Sequence, residues 1–87
     1  MDKLIKTIEL TPIDGRKSFG GKAKAIQSGN TIQLMSYNTI VAEYNIPKDE
    51  FKIFGLHSAT TLRHLKAFAV YIDKGHMNKA ELSEYLN

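Results

Sequence analysis

Hydrophobic and polar residues alternate along the first two-thirds of this chain and then change to a helical period. Leu4, Ile5, Thr7, Ile8 and Leu10 suit a first strand over residues 4–10, stopped by Pro12 and the Asp14-Gly15 turn pair. Lys17-Ser18-Phe19-Gly20-Gly21 is less regular, and its paired glycines predict a bulge or a close backbone approach. Alternation resumes from Lys22 through Ile26, and Ser28-Gly29-Asn30 makes a hairpin turn. Residues 31–37 read as a strand with Ile32 and Leu34 on one face and Gln33, Met35 and Tyr37 on the other. Asn38 is expected to take the left-handed conformation that reverses the chain. Next, Ile40, Ala42, Tyr44 and Ile46 oppose Val41, Glu43 and Asn45, and Pro47-Lys48-Asp49 ends the run. Residues 51–54 add a short strand before Gly55. Connections this short require antiparallel neighbours.

The period changes at Ser58, a good helix N-cap. Leu62, Leu65, Phe68, Ala69 and Ile72 follow on one stripe. Gly75 is expected to end this helix as its C′ residue, with Lys74 in the favoured last turn. Asn78-Lys79-Ala80-Glu81 has the form of a second N-cap with its reciprocal carboxylate, opening a short helix that ends near Leu86. The expected fold class is therefore α+β. An antiparallel β-meander of about four to five strands precedes one long C-terminal amphipathic helix, packed on one sheet face, and a short terminal helix.

Composition narrows the class without naming an activity. A chain of 87 residues is one small domain, and 43% hydrophobic with 24% charged residues describes a globular protein. The absence of cysteine removes disulfides and thiolate metal sites. Met1 to Lys6 lacks the apolar run of a signal peptide, and no segment reads as a membrane span, so a cytoplasmic protein is expected. The net charge is +3, with the surplus concentrated among residues 1–30. That bias allows an acidic or nucleic-acid partner, although surplus lysines also serve solubility.

Two segments carry chemistry. The first opens the long helix: His57, Ser58, Thr60, Thr61, Arg63 and His64 put hydroxyls, a guanidinium and two imidazoles near unpaired backbone N–H groups. Such a helix start can hold a phosphate or carboxylate, while the plainer reading is an ordinary cap with Arg63 in solvent. His64, on the flank of the apolar stripe, reads as a packed histidine bonded to a strand more readily than as a proton donor. The second segment is basic: Arg16, Lys17, Phe19, Lys22 and Lys24 combine cations with an aromatic, as single-strand binders do. Tyr37 joins Phe19 there only if the strands pair suitably. The competing reading is an edge strand guarded by Lys22 and Lys24. His57, His64 and His76 lack metal-ligand spacing, no phosphate loop is present, and Ser36, Ser58 and Ser83 lack the context of a serine nucleophile. No catalytic residue, metal or cofactor is assigned.

Ser36-Tyr37-Asn38-Thr39-Ile40-Val41-Ala42, then Gly55 and Ser58-Ala59-Thr60-Thr61-Leu62-Arg63-His64 with Phe68 downstream, resemble a family of small uncharacterised proteins. Those proteins are carried by plasmids and phages of Firmicutes and related bacteria. Ile8 to Ile13, Lys17-Ser18-Phe19 and Lys22-Ala23-Lys24 are similar to that family's N-terminal half, so the resemblance covers roughly residues 4–72. The chain departs from it at Leu56-His57 and Gly20, where relatives carry aromatic or larger residues. The resemblance implies an origin on a mobile genetic element and supplies no activity.

The expected function is that of a non-enzymatic accessory protein that binds a host macromolecule, with inhibition of a bacterial defence system as one form. A protein partner is the first expectation. The alternatives are nucleic acid bound on the basic N-terminal strand surface, or a small phosphorylated ligand at the helix N-terminus. A sheet covered on one side also often hides its other face in a homodimer.

Overall fold

The computed structural model describes residues 5–13, 15, 18–56 and 58–86. Its sheet is a meander: β1 (Ile5–Glu9), β2 (Ala23–Ser28), β3 (Thr31–Ser36), β4 (Thr39–Asn45) and β5 (Glu50–Ile53) pair antiparallel in sequence order. Helix α1 (Ala59–Tyr71) and the short α2 (Lys79–Ser83) follow. The α+β expectation, sheet first and helices last, is what the chain forms.

Register explains the core. Cross-strand pairing sets Ile8, Ala25, Leu34, Ala42 and Ile53 in one row on the inner face. The last four are at most 1% exposed. Leu65, Phe68 and Ala69 of α1 close over this face and are fully buried, as is Leu82 of α2. Each large apolar side chain so buried contributes roughly 1.5–3 kcal/mol against conformational entropy.

Several details differ from the sequence reading. A register shift between Leu34 and Met35 pairs Leu34 with Ala42 but Met35 with Ile40. The extra residue is Val41, which turns inward beside Ala42, so both are buried and the simple alternation of β4 breaks. Strand β2 lies between β1 and β3 and is no edge. Lys24 therefore guards no edge; it sits on the outer face, between Glu9 and Met35 in register. Gly20 and Gly21 form a turn, both with positive φ, in place of a bulge.

Helix α1 is shorter than its apolar stripe. It starts after Ser58, whose side chain accepts from the Thr61 N–H at 3.2 Å, and ends with Ile72 as C-cap. The C′ residue is Asp73 (φ +66), two residues before Gly75. Its N–H donates to the Val70 carbonyl, and the Lys74 N–H donates to that of Ala69, so a paired C-cap closes the helix early. Lys74 thereby leaves the helix. The Asn78–Glu81 capping box of α2 forms as expected, although α2 stops at Ser83 and a turn follows. Beyond it the Ile53 N–H donates to the Tyr85 carbonyl and Leu86 bridges Ile53 in parallel, covering the β5 edge.

Candidate functional site

The loop between β1 and β2, the β3–β4 turn and the first turns of α1 meet at one end of the sheet. Three local causes bring them together. Ala23 pairs with Ser36, and the Tyr37 N–H donates to the Lys22 carbonyl at 2.7 Å, which sets the start of β2 beside the β3–β4 turn. The β3 alternation of Ile32, Leu34 and Ser36 aims Ser36 inward. The α1 stripe carries His64 inward next to Leu65.

Ser36 and His64 therefore meet inside the core. They are 3% and 1% exposed, and Ser36 Oγ lies 2.7 Å from His64 Nδ1. Burial, reinforced by the adjacent Arg63 charge, holds the His64 pKa below its ordinary 6.5. A neutral imidazole leaves one ring nitrogen as acceptor, which suits Nδ1 accepting from the Ser36 hydroxyl. Phe19, itself buried, meets the His64 ring edge-on at 4.5 Å and 77°. Tyr37 lies against its other neighbourhood, at 5.7 Å between ring centroids.

Cations complete the arrangement. The Arg63 guanidinium stands 5.2 Å from the centre of the Phe19 ring, and the Lys22 ammonium 5.6 Å from that of Tyr37. The result is a row of three rings, Tyr37, His64 and Phe19, flanked by a cation at each end, Lys22 and Arg63. Both segments singled out in the sequence contribute to it. The Tyr37 ring is half exposed, and its backbone holds φ +57. An aromatic residue in the left-handed region is strained by about 1–2 kcal/mol relative to glycine, and such strain clusters at functional sites. The expected Asn38 is not the reversing residue; the strain falls on Tyr37.

The other predicted residues are placed as follows. Ser58 caps α1, and Thr61 is buried with its Oγ1 3.2 Å from Ser58 Oγ. Ser36, Tyr37 and Thr61 line a small cavity of about 170 Å³. Thr60 is partly exposed on the first turn of α1. Lys24 stands on the outer sheet face, away from Phe19. His57, Arg16 and Lys17 lie outside the described residues. Among the described residues, no group of three or more histidines, cysteines or carboxylates is placed to hold a metal ion. No helix among them is long and apolar enough to cross a membrane.

A family model matches residues 8–84, which takes in every element from β2 to α2 and every residue of the cation–ring chain. The chain belongs to DUF8033, a family of unknown function. No curated protein matches the chain. No solved structure matches it either.

In this member of DUF8033, the sequence alone marks Ser36 only as a candidate nucleophile without the right context, and Tyr37 joins the site only through strand pairing. A signal for their pairing existed. Ser36 falls on the inward register of an apolar strand, and His64 falls beside the apolar stripe of the helix that covers it. Two polar groups on facing buried surfaces must satisfy one another, because each alone would carry a desolvation penalty of roughly 1–3 kcal/mol.

Proposed function

We propose that this DUF8033 chain is a non-enzymatic accessory protein of a bacterial mobile genetic element that acts by binding a host macromolecule. The observation that carries the binding reading is the row of three rings flanked by Lys22 and Arg63, with the exposed, strained Tyr37 beside Lys22. Its chemistry favours single-stranded nucleic acid: a base stacks on the Tyr37 ring while Lys22 meets the adjoining phosphate. The mobile-element origin rests on the resemblance of the Ser36–Ala42 and Ser58–His64 segments. That origin also suggests nucleic acid handled by a host defence system as the setting.

The non-enzymatic reading rests on where Ser36 and His64 sit. This nucleophile–base pair is almost wholly buried, with Ser36 reaching only the small cavity beside Tyr37 and Thr61, and its hydrogen bond fixes the β3–β4 turn to α1. A hydroxyl that must be reached by substrate would need an open face, so the pair acts as a support for Tyr37.

The test is fluorescence anisotropy with labelled single-stranded DNA and RNA oligomers over a salt series. Binding that weakens steeply with salt is expected, and Tyr37→Ala should weaken it about tenfold or more. Failure of every oligomer to bind at low salt overturns the nucleic-acid reading and returns a protein partner to first place.

A further inference from the structure

Beside Tyr37 lies the cavity of about 170 Å³ lined by Ser36, Tyr37, Thr39, Val41 and Thr61. Three aliphatic hydroxyls meet there with one aliphatic side chain, Val41. The β3–β4 turn brings them together: Ser36 pairs with Thr39 across it, and Thr61 reaches the same place from the first turn of α1. Ser36 and Thr61 are buried, whereas Thr39 is exposed. Among the described residues, no lysine, arginine, aspartate or glutamate lines the cavity. It suits a neutral, hydroxyl-bearing group and not a phosphate, whose charge would lie there unpaired.

Each hydroxyl can donate once and accept twice. Ser36 uses one of these bonds on His64 Nδ1, and Thr61 uses one on Ser58 Oγ at 3.2 Å. The Thr39 hydroxyl makes no hydrogen bond among the described residues. Thr39 and Thr61 therefore keep capacity for a group that both donates and accepts. Size narrows the choice. Sites for whole small molecules run from about 300 Å³ upward, so this cavity holds one part of a larger ligand whose remainder lies outside it. Immediately outside are the exposed Tyr37 ring and the Lys22 ammonium. A nucleotide has a part of that kind: the sugar, which joins a base able to stack on Tyr37 to a phosphate able to meet Lys22. Of the two nucleic acids, only RNA carries a 2′-hydroxyl, donor and acceptor at once. Deoxyribose would set a methylene against the threonine hydroxyls.

We propose that this cavity receives the ribose of the nucleotide whose base stacks on Tyr37, with Thr39 and Thr61 hydrogen-bonded to its 2′-hydroxyl, so that the chain selects single-stranded RNA over DNA. This selectivity rests on the Tyr37–Lys22 surface proposed above and adds a sugar preference to it. Val41 packs against the C–H face of the sugar ring, and Ser36 stays with His64 as a support. Arg63 has no part in it.

The experiment is an anisotropy titration of the intact chain with labelled oligomers of one base sequence: RNA, 2′-fluoro RNA, and DNA with uracil in place of thymine. RNA is expected to bind about tenfold more tightly than DNA. The 2′-fluoro oligomer keeps the RNA-like sugar pucker and lacks the donated hydrogen, so it should bind about as weakly as DNA. The double variant Thr39→Val/Thr61→Val keeps both branched shapes and removes both hydroxyls. It should reduce the preference to about twofold or less, with DNA affinity unchanged as the sign that it is folded. Thr39→Val alone, an exposed change that leaves the α1 cap intact, should lower the preference about threefold. Tyr37→Ala should weaken RNA and DNA alike. Equal affinity of the wild type for RNA and DNA overturns the sugar preference and leaves the stacking surface standing. So does 2′-fluoro RNA that binds as tightly as RNA, or a preference that both valine variants retain. Binding of neither nucleic acid at low salt overturns the stacking surface itself, and the sugar preference falls with it.

Discussion

The two ends of the sheet use the same pair of residue types and put them to opposite ends. At one, the Lys74 ammonium stands 5.5 Å from the centre of the Tyr44 ring; at the other, Lys22 stands 5.6 Å from that of Tyr37. Both ends also contain a non-glycine residue with positive φ, Asp49 at +49° and Tyr37 at +57°. Among the described residues, the difference is a carboxylate paired with the lysine. Asp49 Oδ1 accepts from Lys74 at 2.7 Å and from the Tyr44 hydroxyl at 2.6 Å, so cation, ring and anion satisfy one another. That closed cluster ties the β4–β5 turn to the end of α1. At the Tyr37 end the third group is the buried, neutral His64, which supplies packing and no charge. A lysine over a tyrosine is a fastening when a carboxylate completes it and a receptive surface when none does.

The largest effect should come from removing the support under the receptive end. His64→Ala leaves a cavity beside Phe19 and strands the Ser36 hydroxyl, and should cost about 2–4 kcal/mol in chemical denaturation. Acid should work through the same residue. Because the folded pKa of His64 lies below the ordinary 6.5, the unfolded chain takes up the proton first. Its contribution is fully present above 6.5 and is lost progressively as pH falls from there through the lowered folded value. His64→Phe should flatten that part of the stability–pH curve, and an unchanged slope would remove His64 as its cause.

Tyr37→Gly tests whether strain and recognition reside in one residue. Stability should hold or rise by about 1 kcal/mol as the left-handed backbone is relieved, while oligomer binding falls about tenfold. A parallel fall in both would mean that Tyr37 is merely structural. Asn38→Asp supplies the missing carboxylate next to Tyr37. It should convert the open end toward the closed one, weakening binding about threefold to tenfold with little change in stability.

The smallest effect belongs to the closed end. Asp49→Ala should lower the thermal midpoint slightly, less so at high salt, and leave binding untouched. Hydrogen bonds from Lys74 and Tyr44 hold the Asp49 pKa below its ordinary 3.8. That stabilisation is present above 3.8 and lost as pH falls through the lowered folded value, so wild type and variant should converge in strong acid.

Much of this was legible before any coordinates. Alternation and turn residues located all five strands, since one buried face imposes a period of two. Ser58 and Asn78 marked both helix starts through side-chain oxygens that only a cap uses well. What escaped the pattern depended on pairing. The bulge that turns Val41 inward arises from the β3–β4 register, and the early end of α1 at Asp73 depends on a C-cap that prevails over a continuing apolar stripe. Within the candidate surface, Arg63, His64, Phe19 and Lys22 could be named one by one. Their union required the Ala23–Ser36 register, which no single segment encodes.

The strand order carries a consequence for time. Because each strand pairs with the one just made, the ladders from β2 to β5 close over short turns, and little loop entropy is lost there before contacts begin to form; the β1–β2 ladder must close the longer loop of residues 10–22. The seating of α1, the burial of Leu82 of α2, and the contacts of Tyr85 and Leu86 with Phe51 and Ile53 join distant parts. The sheet can therefore zip up hairpin by hairpin as the chain emerges, its inner face waiting for a helix that arrives last. Refolding should be fast and limited by that final docking, in which His64 meets Ser36.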